Sequence, residues 1–467
     1  MHLPHWPKIR RIKNINLGLD RVLQLLERLD NPHKKLPPTI HIAGTNGKGS
    51  TLACLESIFK EAQYKVHKYT SPHLVRFNER IILANNEISD KYLDELISEC
   101  KKAANINPKI DVTFFEGITV AAFLAFSRIE SDILLLETGM GGALDATNVI
   151  ENPILTLISA ISDDHQQFLG NTVEKIAAEK AGIMKNNSPI IIAKQEDRVV
   201  EVLENKAALL KNSPLISFKK HFDFKKEEDC FRFMFSQDEI NLPLPSLKGD
   251  YQLENVSLAL AAIKQQDIFE INNQDIIQGL KNIIWRGRLE TVTEGNLYDQ
   301  LDGNYELYLD GGHNAKAAEL LSKWIVADNK TRISNNQQKP DTYFICSMLQ
   351  DKKIDDFFAN ISDIADFVIS VPIDKTPNAQ KPLIISKIAD KHNIKSVDSD
   401  NFEQAFDYIQ AIHDDRHQVI QGNFLRRLLI KKKNTAPARI IICGSLHLVG
   451  EFIAENEDFL RYQRIQS

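Results

Sequence analysis

The chain has 467 residues, 43% hydrophobic and 26% charged, the balance of an ordinary globular protein. Its 57 basic and 63 acidic residues leave a formal net charge of −6, which argues against a general nucleic-acid surface. No apolar run reaches the roughly 18 residues of a transmembrane helix, and the first residues lack the apolar core of a signal peptide. At about 100–200 residues per domain, two or three domains are expected. Cys54, Cys100, Cys230, Cys346 and Cys443 lie far apart with no CxxC, which points to reduced thiols in the cytoplasm rather than a disulfide framework or a zinc site.

In chain order, Leu17, Leu19, Val22, Leu23, Leu26 and Leu29 suit an amphipathic helix. Thr39 to Ala43 is an apolar run that predicts a buried strand, followed by Gly44-Thr45-Asn46-Gly47-Lys48-Gly49-Ser50 and a helix over 52–63. Strand, glycine-rich turn and helix is the layout of a phosphate-binding loop. Backbone N–H groups turn inward, the helix start adds partial positive charge, and Lys48 supplies a full one. The run departs from a strict Walker A, since two residues separate Gly44 from Gly47 and Gly49 precedes Ser50. A strand-to-helix turn that merely needs glycines is the alternative.

Lys65 to Tyr69 predicts a second strand, ended by the loop TSPHLVRFNERI in which Pro72 halts pairing. Helices are predicted over 90–102 and 113–129, then a buried strand to Glu137 that opens into TGMGGALDATN. A strand over 154–161 leads to SDDHQQFLG, and TVEKIAAEKAGIM is a helix capped by Thr172. A strand at 189–193 and a helix at 197–211 follow, then Phe-rich hairpins in 214–247 and helices at 250–265 and 273–282. WRGRLE, residues 285–290, marks a boundary. Beyond it an acidic, turn-rich stretch runs to Glu306, and the alternation restarts with a strand at 307–310, GGHN, a helix from Ala315 to Val326 and a polar loop over 328–341. Further strands and helices alternate to a last strand at 439–443 and GSLHLVGEF.

This pattern predicts an α/β protein: an N-terminal P-loop domain, 1–287, with a mostly parallel sheet covered by helices on both faces, and a smaller Rossmann-like domain, 288–467. In open α/β sheets ligands bind beyond the C-terminal strand ends. Those ends carry the glycine loop, Ser71, Glu137, Asp164 with His165, Asp310 and His313. Singly, Glu137 also suits a turn cap, His165 a satisfied loop histidine and Asp310 an Asx turn; the shared location points to one site. A nucleotide γ-phosphate needs Mg²⁺, for which a serine hydroxyl and a carboxylate are suitable hard ligands.

The blocks HIAGTNGKGST, SPHLVRFNERI, TFFEG, LETGMGGALDATN, SDDHQQFLG, EKAGIM, WRGRLE, LDGGHN and CGSLH, in this order, resemble the folylpolyglutamate synthase/dihydrofolate synthase family of the Mur ligase superfamily. The resemblance runs from about Asn16 to about Gly450. It implies an ATP-dependent ligase that makes an acyl phosphate and joins it to the amine of L-glutamate, with 7,8-dihydropteroate and reduced folates as acceptors. It implies ATP contacts at Gly44 to Ser50, Asn255, Arg288 and Asp310. Two Mg²⁺ ions are implied, one on Ser71 and Glu137, the other on His165 and a carbamylated Lys180. Lys48, Lys180 and His165 become the catalytic candidates. The acceptor site would comprise Thr113, Phe114, Phe115, Glu116, Leu144, Asp145 and Ala146, with His313 and Ser445 near glutamate. A cytoplasmic monomer without nucleic-acid or membrane partners is expected.

The chain departs from the family in having Gly312-His313-Asn314-Ala315 for Ala-His-Asn-Pro, Thr138 for valine and Gln166 for threonine. The stretches 291–306 and 425–433 have no assigned role. Three alternatives stand beside this reading: a polyglutamate synthase only, a cell-wall peptide ligase of the same superfamily, and a nucleotide-binding module without ligase chemistry. Only about 40 residues precede the loop, short of the extra N-terminal domain of cell-wall ligases. The complete LDATN and EKAGIM blocks argue against a non-catalytic module.

Overall fold

The computed structural model describes residues 4–7, 18–163, 169–302, 304–374, 376, 378–413 and 437–458. His165, expected as a metal ligand, lies outside them, as do Asp164 and the 425–433 stretch. The chain divides into two compact units, Met1–Trp285 and Arg286–Ser467.

In the first unit the strands are β1 (Thr39–Ala43), β2 (Val66–Tyr69), β3 (Ile81–Leu83), β4 (Asn86–Glu87), β5 (Ile133–Glu137), β6 (Leu155–Ile158), β7 (Ile190–Ile192) and β8 (Leu215–Ser217). They form one sheet in the order β4-β3-β2-β5-β1-β6-β7-β8. The run from β2 to β8 is parallel, and β3 and β4 are antiparallel at one edge. Every residue of β1 and β5 is buried, which is why both are mostly apolar, with Thr39, His41 and Glu137 as the polar exceptions. Alternate residues serve opposite faces. Ile133 and Leu135 join the core under the helices Lys48–Glu61 and Gln252–Gln265; Leu134 and Leu136 join the core under Asp90–Ala104 and Phe114–Arg128. SPHLVRFNERI is not all loop: a 3-10 turn, Phe77–Arg80, leads straight into β3.

The Phe-rich region yields β8 and then a three-stranded antiparallel meander, β9 (Phe222–Lys226), β10 (Cys230–Phe235) and β11 (Asp238–Pro243). Phe222, Phe231 and Phe233 pack into the core beneath Gln252–Gln265.

The second unit holds β12 (Arg288–Val292), β13 (Tyr305–Asp310), β14 (Asp341–Cys346), β15 (Phe367–Ser370), β16 (Ser396–Asp398) and β17 (Ala438–Cys443) in the order β12-β13-β17-β14-β15-β16. All neighbours are parallel except β12 and β13. Arg288–Val292 is thus an edge strand formed by the end of the boundary block WRGRLE and the first two residues of the acidic stretch.

The helix after β13 runs from Ala315 to Ser334, not to Val326. Its polar continuation is helical because it buries charge in pairs. Arg439, fully buried on β17, bonds Asp328 and Asn329, and Arg332 bonds Asp328 and Glu306. Sequence periodicity registers apolar faces and cannot register a paired polar one. Cys346 and Cys443, 97 residues apart, face each other across β14 and β17 as free thiols with sulfurs 3.5 Å apart. Among the described residues no helix is long and apolar enough to cross a membrane.

Candidate active site

The C-terminal ends of β1, β5 and β6 meet at one place. Gly47 sits at φ +86° and caps the Lys48–Glu61 helix, a conformation that carries almost no penalty for glycine. A Cβ there would also overlap the Asn255 amide, so Asn255 lies directly against the loop. The loop is tied to the end of β6: Thr45 and Asn46 donate their backbone N–H groups to Ala160 O at 2.9 and 3.1 Å. Thr45 Oγ1 donates to Ser162 O at 3.0 Å, and Asn46 Nδ2 to Ser162 Oγ at 3.1 Å.

Two lysines converge on this loop. Lys48 Nζ donates to Gly44 O at 3.1 Å and lies 3.7 Å from Glu137 Oε1. Lys180 Nζ, buried at the end of the Val173–Lys180 helix, donates to the same Gly44 O at 2.8 Å. Glu137 Oε2 accepts the Ser71 N–H at 3.2 Å. Lys48, Lys180, Ser71 and Glu137 are therefore brought together, with cations on the loop and a carboxylate facing them. Ser50 is buried in the first helical turn, and Thr51 Oγ1 reaches Asn255 O at 3.4 Å.

The 70–80 loop is held by a residue that spacing did not single out. Glu79 accepts N–H bonds from Leu74 at 2.7 Å, Val75 at 2.9 Å and Arg76 at 2.6 Å. Arg80 Nε donates to His73 Nδ1 at 2.9 Å, and its guanidinium lies 5.1 Å from the Phe77 ring centre. A carboxylate in NERI is a generic sequence signal; only the fold shows that it organises three backbone donors.

The GGALDATN block packs against EKAGIM backbone to backbone. Ala143 N–H donates to Glu179 O at 2.8 Å. Asn148 Nδ2 bridges Ala143 O at 3.0 Å and Gly182 O at 3.1 Å. Asp145 is buried and closes its own loop, accepting Met140 N–H at 2.8 Å, Thr147 N–H at 3.0 Å and Thr147 Oγ1 at 2.6 Å. Burial pushes its carboxyl upward, and these bonds oppose the shift. Ala146 is buried and Leu144 is 44% exposed.

Thr113 and Glu116 form a capping box at the start of the Phe114–Arg128 helix. The Glu116 carboxylate accepts Thr113 N–H at 2.7 Å and a two-point contact from Arg21. Phe114 packs edge-on to Phe77 at 5.9 Å, and Phe115 lies 6.1 Å from Tyr69. The structure thus assigns each of these four residues a local packing or capping role in addition to any contact with a ligand.

In the second unit, Asp310 accepts Leu289 N–H at 3.1 Å and Gly312 N–H at 2.8 Å. Burial raises its carboxyl pKa, and the nearby Arg288 works against that rise. His313 Nδ1 lies 3.1 Å from Gly311 O and must be the donor, since a carbonyl only accepts. Ser445 caps the Leu446–Asn456 helix through His447 N–H, and Gly444 N–H bonds Gly312 O at 3.0 Å. Arg288, Asp310, His313 and Ser445 thus gather at the ends of β13 and β17 and the start of β12.

The Mur ligase middle domain model matches residues 42–263, and the model described as dihydrofolate synthetase, C-terminal domain, matches 294–455. A probable dihydrofolate synthetase of Schizosaccharomyces pombe is 32% identical over 449 residues, 94% of this chain and 97% of that one. The structure of E. coli FolC in complex with DHPP and ADP is similar at TM-score 0.76 and 27% identity, covering 97% of this chain and 95% of that one. So is a bifunctional folylpolyglutamate synthase/dihydrofolate synthase with Mn, AMPPNP and L-glutamate bound, at TM-score 0.74 and 27% identity over 94% of both chains.

Proposed function

The chain belongs to the dihydrofolate synthase/folylpolyglutamate synthase family, and from that premise we infer that it is an ATP-dependent ligase joining L-glutamate to dihydropteroate and to reduced folates. The observation that carries this reading is the convergence of Lys48 and Lys180 on Gly44 O beside Glu137. An acceptor carboxylate takes the γ-phosphoryl group of ATP. The glutamate amine then attacks the acyl carbonyl, loses a proton, and phosphate leaves.

Lys48 and the N–H groups that open the Lys48–Glu61 helix stabilise charge on the transferring phosphoryl group. Ser71 and Glu137 are oxygen ligands of the kind Mg²⁺ takes, and they already adjoin through the Ser71 N–H. Mg²⁺ held there would neutralise phosphate charge. Asn255, Arg288 and Asp310 are read as ATP contacts. Thr113 to Glu116 and Leu144 to Ala146 are read as the acceptor pocket, and His313 and Ser445 as neighbours of glutamate. A second Mg²⁺ would rest on His165 and on a carbamylated Lys180. As an amine Lys180 is no metal ligand. As a carbamate it gains an anionic oxygen pair and keeps one N–H for Gly44 O. The free thiols support a cytoplasmic location, and a monomer remains the working state.

Phosphate release from MgATP and L-glutamate, with dihydropteroate and then with tetrahydrofolate, tests the reading. Release with both supports a bifunctional enzyme. Release with tetrahydrofolate alone leaves a polyglutamate synthase and removes the acceptor role of Asp145. Release with neither removes the ligase reading.

Carbamylation has its own test. The amine adds CO₂ and releases a proton, so intact mass in bicarbonate should exceed the sequence mass by one CO₂. In CO₂-free buffer that increment and the turnover should fall together, and Lys180→Ala should cost about a hundredfold, the scale of losing a group that shapes a metal site. Full activity at the unmodified mass would discard the carbamate.

A further inference from the structure

His41 stands in the middle of β1, a fully buried histidine among aliphatic neighbours. Its Nε2 lies 2.9 Å from Thr147 Oγ1. That hydroxyl has one hydrogen, and the 2.6 Å contact to Asp145 Oδ1 claims it, because a carboxylate only accepts. His41 Nε2 must therefore be the donor to Thr147. Among the described residues the buried Nδ1 atom has no hydrogen-bond partner, which suits a lone pair and would be costly for an N–H. His41 is thus a neutral imidazole in the Nε2–H form, and burial holds its pKa down to about 3. A one-way chain of donors runs from the core strand that leads into the phosphate loop to the carboxylate at the turn of LDATN.

We propose that His41 is a positioning residue for the acceptor site, fixing the Thr147 hydroxyl and through it the Asp145 carboxylate and the turn that carries it. The proposal rests on the reading of Asp145 as part of the acceptor pocket. Without a donor to its oxygen, the Thr147 hydroxyl is held only by its own bond to Asp145 Oδ1. With the His41 N–H in place, its lone pair is committed and its hydrogen points only at Asp145. The Oδ1 atom is then saturated by Thr147, and the carboxylate plane is set.

The test compares His41→Gln, whose amide N–H reaches the place of Nε2, with His41→Met, which fills the space without a donor. His41→Met should raise KM for dihydropteroate or tetrahydrofolate about five- to tenfold, the scale of one buried hydrogen bond. KM for ATP should stay within about twofold, and His41→Gln should recover most of the loss. Thr147→Val cuts the chain at its middle and should raise acceptor KM at least as far. Adding His41→Met to it should then change little, since both act through one bond.

Equal impairment of the Gln and Met variants, or a lowered Tm with unchanged acceptor KM, makes His41 a packing residue and overturns the proposal. Should His41→Met fail to fold, an unchanged acceptor KM in Thr147→Val overturns it equally. Asp145→Asn separates this from failure of the pocket reading: if that variant leaves acceptor KM unchanged, the pocket assignment itself is wrong.

Discussion

Lys48→Ala is expected to lower glutamate-dependent ADP release at least about a thousandfold. Removing a single neutral donor from a site of developing charge costs about 10²–10³ in kcat, and Lys48 carries a full charge. The same change removes the cation facing Glu137, whose side chain is 6% exposed. Breaking such a pair from one side costs up to about 3–5 kcal/mol, so lost stability could mimic lost chemistry. Lys48→Arg separates the two. It keeps a cation beside Glu137 and should restore most of the stability. Its planar fork cannot reproduce a point charge on a flexible stem, so turnover should remain well below that of the parent. Activity of the alanine enzyme within about tenfold of the parent would mean that phosphoryl transfer does not happen at this loop.

What could be read in the sequence was local. Five buried residues, a run of glycines and a helical run lie within 25 positions, and each signal needs only its neighbours. The alternation that gives two α/β units is equally local. Contacts made by folding were not legible. Lys180 Nζ meets Gly44 O across 136 residues, and EKAGIM by itself reads as an ordinary helix end. Glu79 carries no signal of its own in the sequence until three backbone N–H groups are seen to point at it. His41 reads as one polar interruption in an apolar strand until Thr147 supplies its partner. The Ala315–Ser334 helix was cut short for the same reason, because pairing with Arg439 makes its polar turns internal. Apart from Glu79, whose donors lie three to five residues away, each pairing joins polar groups distant in sequence, which periodicity cannot encode.

The second large effect is expected at a glycine with ordinary backbone angles. A Cβ on Gly182 would overlap Ala143 Cα and Cβ and lie 2.7 Å from Ala143 N. These are backbone or backbone-attached atoms, so no side-chain rotation relieves the overlap. The strands of chain must part, and the Ala143 N–H to Glu179 O bond and the Asn148 bridge hold them against that. Overpacking of about 1–3 kcal/mol plus about 1 kcal/mol for a weakened hydrogen bond predicts a loss of about 2–4 kcal/mol for Gly182→Ala. In a unit of this size that lowers Tm by about 5–10 °C. Both parted segments carry site residues: Lys180 lies two positions before Gly182, and Asp145 two positions after Ala143. A shift of about 1 Å at reacting groups costs about a hundredfold, so kcat/KM measured well below the new Tm should fall by that order. A lowered Tm with unchanged kcat/KM would show that the contact stabilises the fold without setting the site. Parental values of both would show that this backbone yields freely and that the Gly182 contact does not position Lys180.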